Sequence, residues 1–433
     1  MTQATQTIPA GLPAETKVKE SYKQTEIGVI PVDWCVEKLK DLSQVQTGST
    51  PPTHDKSNYG NDYLFVSPAD LGESTYIFNT EKKLSKKGFL LSRRFPKNST
   101  LFTCIGSTIG KTGIAGVDLA SNQQINAFFP SEKINWLYSY LILTYLSPKI
   151  KILAGEQAVP QINKTQFENT QIFFPNDPKE QTAIAAALSD ADALIEKLEK
   201  LIAKKKAIKQ GVMQQLLTGK KRLPRFSGEW VRKKIGDIGE ITGSGVDKKT
   251  SPDELPVRLV NFLNVYHQSF IYSKDLNHLV TARPEQITRC SVKKGDVFFT
   301  PSSEMPYDVG LSAIAMEDMP DVVYSYHVDR MRLFEDWDLL FRAYIFQTKD
   351  FSDQAATQCE GSGKRYVLNL TTFRERLTVY YPTYKKEQTA IATVLSDMDT
   401  EIEKLEKKLN KYRQIKTGMM QQLLTGKIRL IDK

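Results

Sequence analysis

The stretch Glu180–Leu223, EQTAIAAALSDADALIEKLEKLIAKKKAIKQGVMQQLLTGKKRL, returns almost unchanged as Glu387–Leu430, EQTAIATVLSDMDTEIEKLEKKLNKYRQIKTGMMQQLLTGKIRL. The two copies align without a gap at an offset of 207, with 30 of 44 positions identical, so the chain uses one unit twice. Within the first copy Ile184, Leu188, Ala191, Ile195, Leu198 and Ile202 recur in steps of four and three, as do Ile391, Leu395, Met398, Ile402, Leu405, Leu409 and Tyr412 in the second. That alternation is a coiled-coil seam. Asp177-Pro178 with Glu180 three residues on has the form of a capping box with proline at the first helical position, and Gly219 and Gly426 stand where a C-cap glycine belongs. Each copy therefore reads as one helix of ~38 residues, ~57 Å long.

A lone apolar stripe of that length would leave a wide strip in water, so the two seams are expected to pack on each other. The link from Gly219 to Glu229 is short, which favours a second helix running back along the first. The expected architecture is two tandem globular domains of mixed α/β (α+β) type, each followed by a long helix. The helices pair as an antiparallel coiled coil with pseudo-two-fold symmetry and a domain at either end. The boundaries read as 1–24 for an N-terminal extension, 25–174 for the first domain, 175–219 for the central helix, 220–229 for a linker, 230–381 for the second domain and 382–427 for the C-terminal helix. Outside the repeat the domains echo each other only at Trp34 with Trp230, Asp41 with Asp237, Gly155 with Gly361, Asn163 with Asn369, Phe167 with Phe373 and Pro175 with Pro382. A shared fold with different contact surfaces is the expectation.

At 433 residues, with 40% hydrophobic and 25% charged residues, the chain has the proportions of a globular protein with more than one domain and not of a disordered, collagen-like or membrane chain. Cys35, Cys104, Cys290 and Cys359 are too scattered for a disulfide framework or a metal-ligand pair. The opening MTQATQTIPAGLPAETK holds no apolar run of signal-peptide length, and Trp136–Leu146 is too short to span a bilayer. A cytoplasmic protein is expected. The net charge of +9 points to a polyanionic partner, though the total alone discriminates little. Its distribution says more: Lys204–Arg225 holds eight basic residues and Lys407–Arg429 seven, neither with an acid, and the rest carries 44 basic against 50 acidic residues. These runs either complement the helix dipoles and keep the helices solvated, or touch phosphates.

Nothing in the sequence has the form of an active site. Gly106–Thr112 has three residues where a phosphate loop needs four, and Gly361-Ser-Gly-Lys364 is followed by Arg365 instead of Ser or Thr, so both are glycine-rich basic loops. His54, His267, His278 and His327 form no zinc spacing, and there is no nucleophile elbow, so no metal and no catalytic residue are assigned. Side chains able to contact phosphates and base edges gather in the first domain as Arg93, Arg94, Lys97, Lys111, Thr112, Asn122, Gln123, Gln124 and Asn126. In the second they are Lys248, Lys249, Arg283, Arg289, Ser302, Ser303, Lys364 and Arg365. Arg, Asn and Gln carry the paired donors and acceptors that match guanine and adenine in the major groove, while for any one of them a solvated surface role is the plain alternative.

With these features the chain resembles the specificity (S) subunits of type I restriction-modification systems. The resemblance is carried by E-Q-x-x-I-A-x-x-L-S-x-x-D (Glu180–Asp192; Glu387–Asp399), M-Q-Q-L-L-T-G-K (Met213–Lys220; Met420–Lys427) and the domain openings Ile30-Pro-Val-Asp-Trp34 and Gly228-Glu-Trp230. It implies a non-catalytic subunit with two target-recognition domains, each reading one half of a bipartite, asymmetric site in double-stranded DNA. A helical spacer would set the gap and dock two modification subunits. It further implies that S-adenosylmethionine, ATP and magnesium belong to modification and restriction partners and that this chain holds no cofactor; the absence of an N-P-P-[YF]-like tetrapeptide agrees. A protein scaffold that bridges two partners without DNA, and an autonomous DNA methyltransferase, are the competing classes. Salt-sensitive duplex binding and S-adenosylmethionine binding by the isolated chain separate them.

Overall fold

The computed structural model describes residues 21–72, 74–155, 158–243 and 246–430, so residues 1–20 of the expected extension lie outside the described residues. The chain divides into two units, residues 1–197 with 409–433 and residues 198–408; each long helix contributes to both.

In the first unit, short runs such as Thr100–Thr103 (TLFT) and Ile125–Phe128 (INAF) are buried at every position, the signature of strands covered on both faces. They sit in a five-stranded sheet ordered Val45–Thr47, Ile125–Phe128, Thr100–Thr103, Thr112–Ala115, Tyr76–Ile77. A four-stranded sheet is ordered Lys82–Leu84, Tyr59–Val66, Leu119–Ser121, Arg94–Phe95. The helix Trp136–Ile152 packs Tyr138, Leu141 and Ile142 onto Phe102 and Phe128, and Ile184 and Leu188 of the central helix join the same core. The hairpin of Tyr22–Thr25 with Gly28–Pro31 crosses the boundary drawn at residue 25.

The second unit repeats this order strand for strand. Gly239–Gly243, Asp329–Leu333, Val297–Phe299, Ser312–Ala315 and Phe270–Ile271 form its five-stranded sheet, and Leu279–Ala282, Leu255–Val260, Met319–Tyr324 and Ser291–Val292 its four-stranded one. Matching pairs are parallel in both, Thr112–Ala115 with Tyr76–Ile77 and Ser312–Ala315 with Phe270–Ile271. The mixed α/β class read from sequence is the fold observed, twice. The sparse echoes fall at joints: Trp34 and Trp230 open equivalent strands, Asn163 and Asn369 cap equivalent helices, and Pro175 and Pro382 close the strands that lead into the long helices. The second unit adds a three-stranded sheet of Ser302–Ser303, Arg365–Val367 and Glu360–Ser362.

The long helices run Pro178–Leu216 and Lys385–Leu423, 39 residues each. Ile184, Leu188, Leu198 and Ile202 are buried, as are Ile391, Leu395, Ile402 and Leu409, while Ala191, Ile195, Met398, Leu405 and Tyr412 are half-buried. Within each unit an early residue of one helix meets a late residue of the other, which fixes antiparallel pairing. In the first unit Asp192 pairs with Lys416 and Glu180 with Arg429; in the second Glu401 pairs with Lys205, Asp399 with Lys209 and Glu387 with Arg222. Many of the cations in the basic runs are therefore answered by acids of the other helix, a third explanation beside dipole complement and phosphate contact.

The Glu-Gln pair that opens each repeat has a mechanical role. Gln181 donates to the Pro175 carbonyl at 2.9 Å and accepts from the Asn135 N–H at 2.7 Å; Gln388 does the same with Pro382 and Asp338, both at 2.9 Å. Asn135 and Asp338 cap the domain helices Trp136–Ile152 and Leu339–Ile345, so one amide bolts strand, domain helix and long helix together. Glu180 does not turn back to complete a capping box. Asp177 Oδ1 accepts from the Lys179 N–H at 2.8 Å, and the fully buried Glu180 carboxylate is taken by Arg429. Gly219 and Gly426 adopt φ of +69° and +67° just past the helices, the left-handed C-cap conformation.

Candidate nucleic-acid interface

In the first domain the polar cluster forms where the strand ends of both sheets meet. Ser49 N–H donates to the Ser121 carbonyl at 2.9 Å, Arg93 N–H to Ser49 Oγ at 2.8 Å and Arg93 Nη1 to the Thr47 carbonyl at 3.1 Å. Thr50 donates to Gln123 Oε1 at 2.8 Å and Asn122 to Gln124 Oε1 at 3.0 Å. A cleft of about 520 Å³ opens here, lined by Thr50, Thr53, Ser67, Lys82, Lys83 and Asn122. Lys111 joins this rim, its N–H and C=O bracketing the loop from Thr103 whose next residue, Cys104, bonds to the Gln124 carbonyl.

Arg93, Lys111, Asn122, Gln123 and Gln124 are thus brought together, with Arg94 exposed on the adjoining edge strand. Lys97 is not: its N–H binds Asp118 at the far ends of the same strands. Thr112 and Asn126 face inward. Thr112 shares a hydrogen bond of 2.9 Å with Thr144, and Asn126, 1% exposed, accepts from Thr47 at 2.6 Å and donates to Cys104 Sγ. Burial raises the Cys104 thiol to about 12, so it stays a neutral partner. Sequence reasoning passed over Thr50, Thr53, Lys82 and Lys83, whose only signal was the Lys-Lys pair and a Pro-rich loop.

The second domain builds the same rim from other chemistry. Its loop after Met319–Tyr324, topologically matched to Asn122–Gln124, is Ser325–Val328, with the exposed Tyr326 ring tilted at 39° against His327, centroids 4.0 Å apart. Burial first, then the charges of Lys248 and Arg365, lowers the His327 pKa, and the Tyr326 N–H donates to the carbonyl of Val246, two residues before Lys248, at 3.1 Å. Gly361-Ser-Gly-Lys364, set aside as a phosphate loop, is the turn of a hairpin whose strand Arg365–Val367 pairs with Ser302 and Ser303. Lys248, Ser302, Ser303, Lys364 and Arg365 therefore surround one loop cluster. Lys249 lies 3.6 Å from Asp247, and Arg283 contacts Glu254 at 3.4 Å farther along the same edge. Arg289 is exposed, its carbonyl accepting from Arg330. Sequence reasoning missed Tyr326 and His327 because a Tyr-His pair is uninformative until the loop is placed.

One inward position differs sharply. Asp329 occupies the register of Asn126, opposite Gly243 where Asn126 has Thr47. With no hydroxyl partner among the described residues and 6% exposed, its carboxyl is raised by burial to about 7.

Among the described residues no group of three or more His, Cys, Asp or Glu side chains could hold a metal ion, and no helix is long and apolar enough to cross a membrane. Among the described residues no disulfide joins any of the four cysteines.

Fold and rim together define a class: a tandem of like recognition domains, each sealed to an antiparallel helical repeat and each presenting a different polar loop cluster. The chain belongs to the family described as the type I restriction modification DNA specificity domain, which matches residues 31–210 and again 227–412. It is 34% identical over 187 residues to the type I restriction enzyme MjaIX specificity subunit of Methanocaldococcus jannaschii, an alignment covering 41% of this chain and 42% of that protein. Against the MjaVIII specificity subunit of the same organism it is 22% identical over 422 residues, 95% of this chain and 97% of that one. The type I restriction-modification S subunit from M. genitalium shares the fold at a TM-score of 0.54 and 14% identity, covering 90% of this chain and 96% of that chain.

Proposed function

We propose that this chain is the DNA-recognition subunit of a type I restriction-modification complex, each domain reading one half of a bipartite, asymmetric duplex site. The observation that carries the reading is the duplication itself: one framework, strand for strand, with rims of unlike chemistry. An asymmetric two-part site needs that combination. Arg93, Lys111, Asn122, Gln123 and Gln124 face one half, and Lys248, Ser302, Ser303, His327, Lys364 and Arg365 the other. The helical repeat sets the gap and docks two modification subunits. The chain itself is non-catalytic and works in the cytoplasm; S-adenosylmethionine, ATP and magnesium are held by modification and restriction partners.

The test is to exchange residues 25–174 for those of another family member and map methylated adenines in a host expressing the complex. One half-site should change and the other persist. A change in both halves would refute independent reading, and loss of salt-sensitive duplex binding by the unaltered chain would refute the DNA reading.

A further inference from the structure

Beside the first rim lies a feature that hydrogen-bond readout does not use. The helix Lys86–Leu91 ends in two consecutive leucines, Leu90 and Leu91, 59% and 58% exposed. The preceding residues hold it rigidly. Phe89 is buried and stacks on Tyr63 at 4.2 Å, Ser85 caps the helix through the Gly88 N–H at 3.2 Å, and Gly88 sits so close to the Asn58 carbonyl that a Cβ there would lie 2.0 Å from it. Cations bracket the leucines: Lys86 before them, Arg93 and Arg94 after, none with an ion pair among the described residues, while Lys87 is held by Asp55 at 2.7 Å. Arg93 ties this end to the Ser49–Thr50 loop and thereby to Gln123.

Two adjacent exposed leucines make a local apolar patch, and an apolar patch rimmed by polar residues marks an interaction site. Anchored on a stiff helix and flanked by cations that no carboxylate neutralises among the described residues, they match an apolar wedge that enters a base step while its neighbours grip the phosphates on either side. The second domain lacks the device. Its matching helix, Pro284–Arg289, ends in Thr288 and Arg289, both exposed.

The geometry points to Leu90 and Leu91 as a wedge that partly unstacks one base step of the first half-site and kinks the duplex, so that the first domain reads deformability as well as base edges. This rests on the DNA-binding reading above. The test uses the full chain with its modification subunits on duplexes carrying the site defined by methylation mapping, with 2-aminopurine moved step by step through the first half. One step should brighten about threefold on binding, with a bend of about 20° or more by circularly permuted mobility. Leu90→Ser/Leu91→Ser should abolish both signals while methylation of the second half-site and assembly with the modification subunits persist; Leu90→Met/Leu91→Met should retain them. Bound wild-type complex with every step dark and the duplex straight would overturn the wedge and leave DNA recognition standing. Loss of subunit assembly in the serine variant would overturn it in favour of a protein contact. No salt-sensitive binding by the wild type would overturn both.

Discussion

Arg429 and Glu180, 249 residues apart, form one ion pair in which the guanidinium Nη2 reaches the buried carboxylate at 2.6 Å. The same side chain grips Asp33 at 2.7 Å and lies over the Trp34 ring. The repeat rebuilds the arrangement as Arg222 on Glu387, 2.5 and 2.7 Å, with Trp230 donating to the same carboxylate and lying under the cation. The hydrogen bonds to Glu180 and Asp33 raise the Arg429 pKa still further, so the guanidinium stays charged throughout the working pH range. The glutamate that opens each repeat and the arginine that closes the other are thus partners, across copies and not within one.

Arg429→Ala leaves Glu180 buried and charged without a partner, and should destabilise the first unit by about 3 kcal/mol. Glu180→Gln in the same chain should recover part of that. Urea unfolding followed at Trp34 checks it; a midpoint unchanged by Arg429→Ala would mean the buried charge finds another partner.

Asp329 gives a pH prediction. Its folded pKa of about 7 lies above the ordinary 3.8, so between those values the folded chain keeps a proton that the unfolded chain releases. Stability therefore falls as pH rises from ~4 to ~7 and is flat above, by at most ~4 kcal/mol at ~1.4 kcal/mol per unit. Asp329→Asn, which installs the residue of the first domain, should raise the melting temperature at pH 8 and flatten the slope. A variant with the wild-type pH profile would show that water or a neighbour satisfies the carboxylate.

Glycines in the repeat should divide by position. Gly426→Ala forces a Cβ to within 2.3 Å of Pro31 at φ +67° and should cost about 2 kcal/mol or more. Gly418→Ala, inside the helix with nothing within 4 Å, should gain up to about 1 kcal/mol. Paired thermal melts decide; equal effects would contradict the close packing at the cap.

Lys364→Ala and Arg365→Ala should weaken duplex binding and each reduce the slope of log affinity against log salt by about 1. A salt titration with an unchanged slope would remove the hairpin from the interface.

The helices, their seam and their C-cap glycines were legible because each follows from a local period or a residue type with one use at one place, whereas the capping box read at Asp177 was not formed, Glu180 being drawn to Arg429. Even the isolated echoes were informative: Asn163 with Asn369 and Pro175 with Pro382 mark the joints where the fold cannot vary. The rims were less legible. Asn122 and Asn126 have the same chemistry and differ by four residues, yet strand alternation and the sheet edge send one to solvent and the other to Thr47 and Cys104. Lys82 and Lys83 reach the cleft through a strand pairing with Tyr59–Val66 that no local pattern encodes. The fate of the basic runs, matched to acids roughly 165 to 250 residues away, was equally hidden.

The core of the first unit includes Leu423 and Leu424 packed with Ile184 and Leu188, whereas every residue of the second unit's compact body lies between 198 and 408. During synthesis the domain encoded second can therefore close its core before the one encoded first. Until residues 423–429 have been made, Ile184, Leu188 and Glu180 lack the cover that those residues provide, so the earlier domain is the later one to be completed.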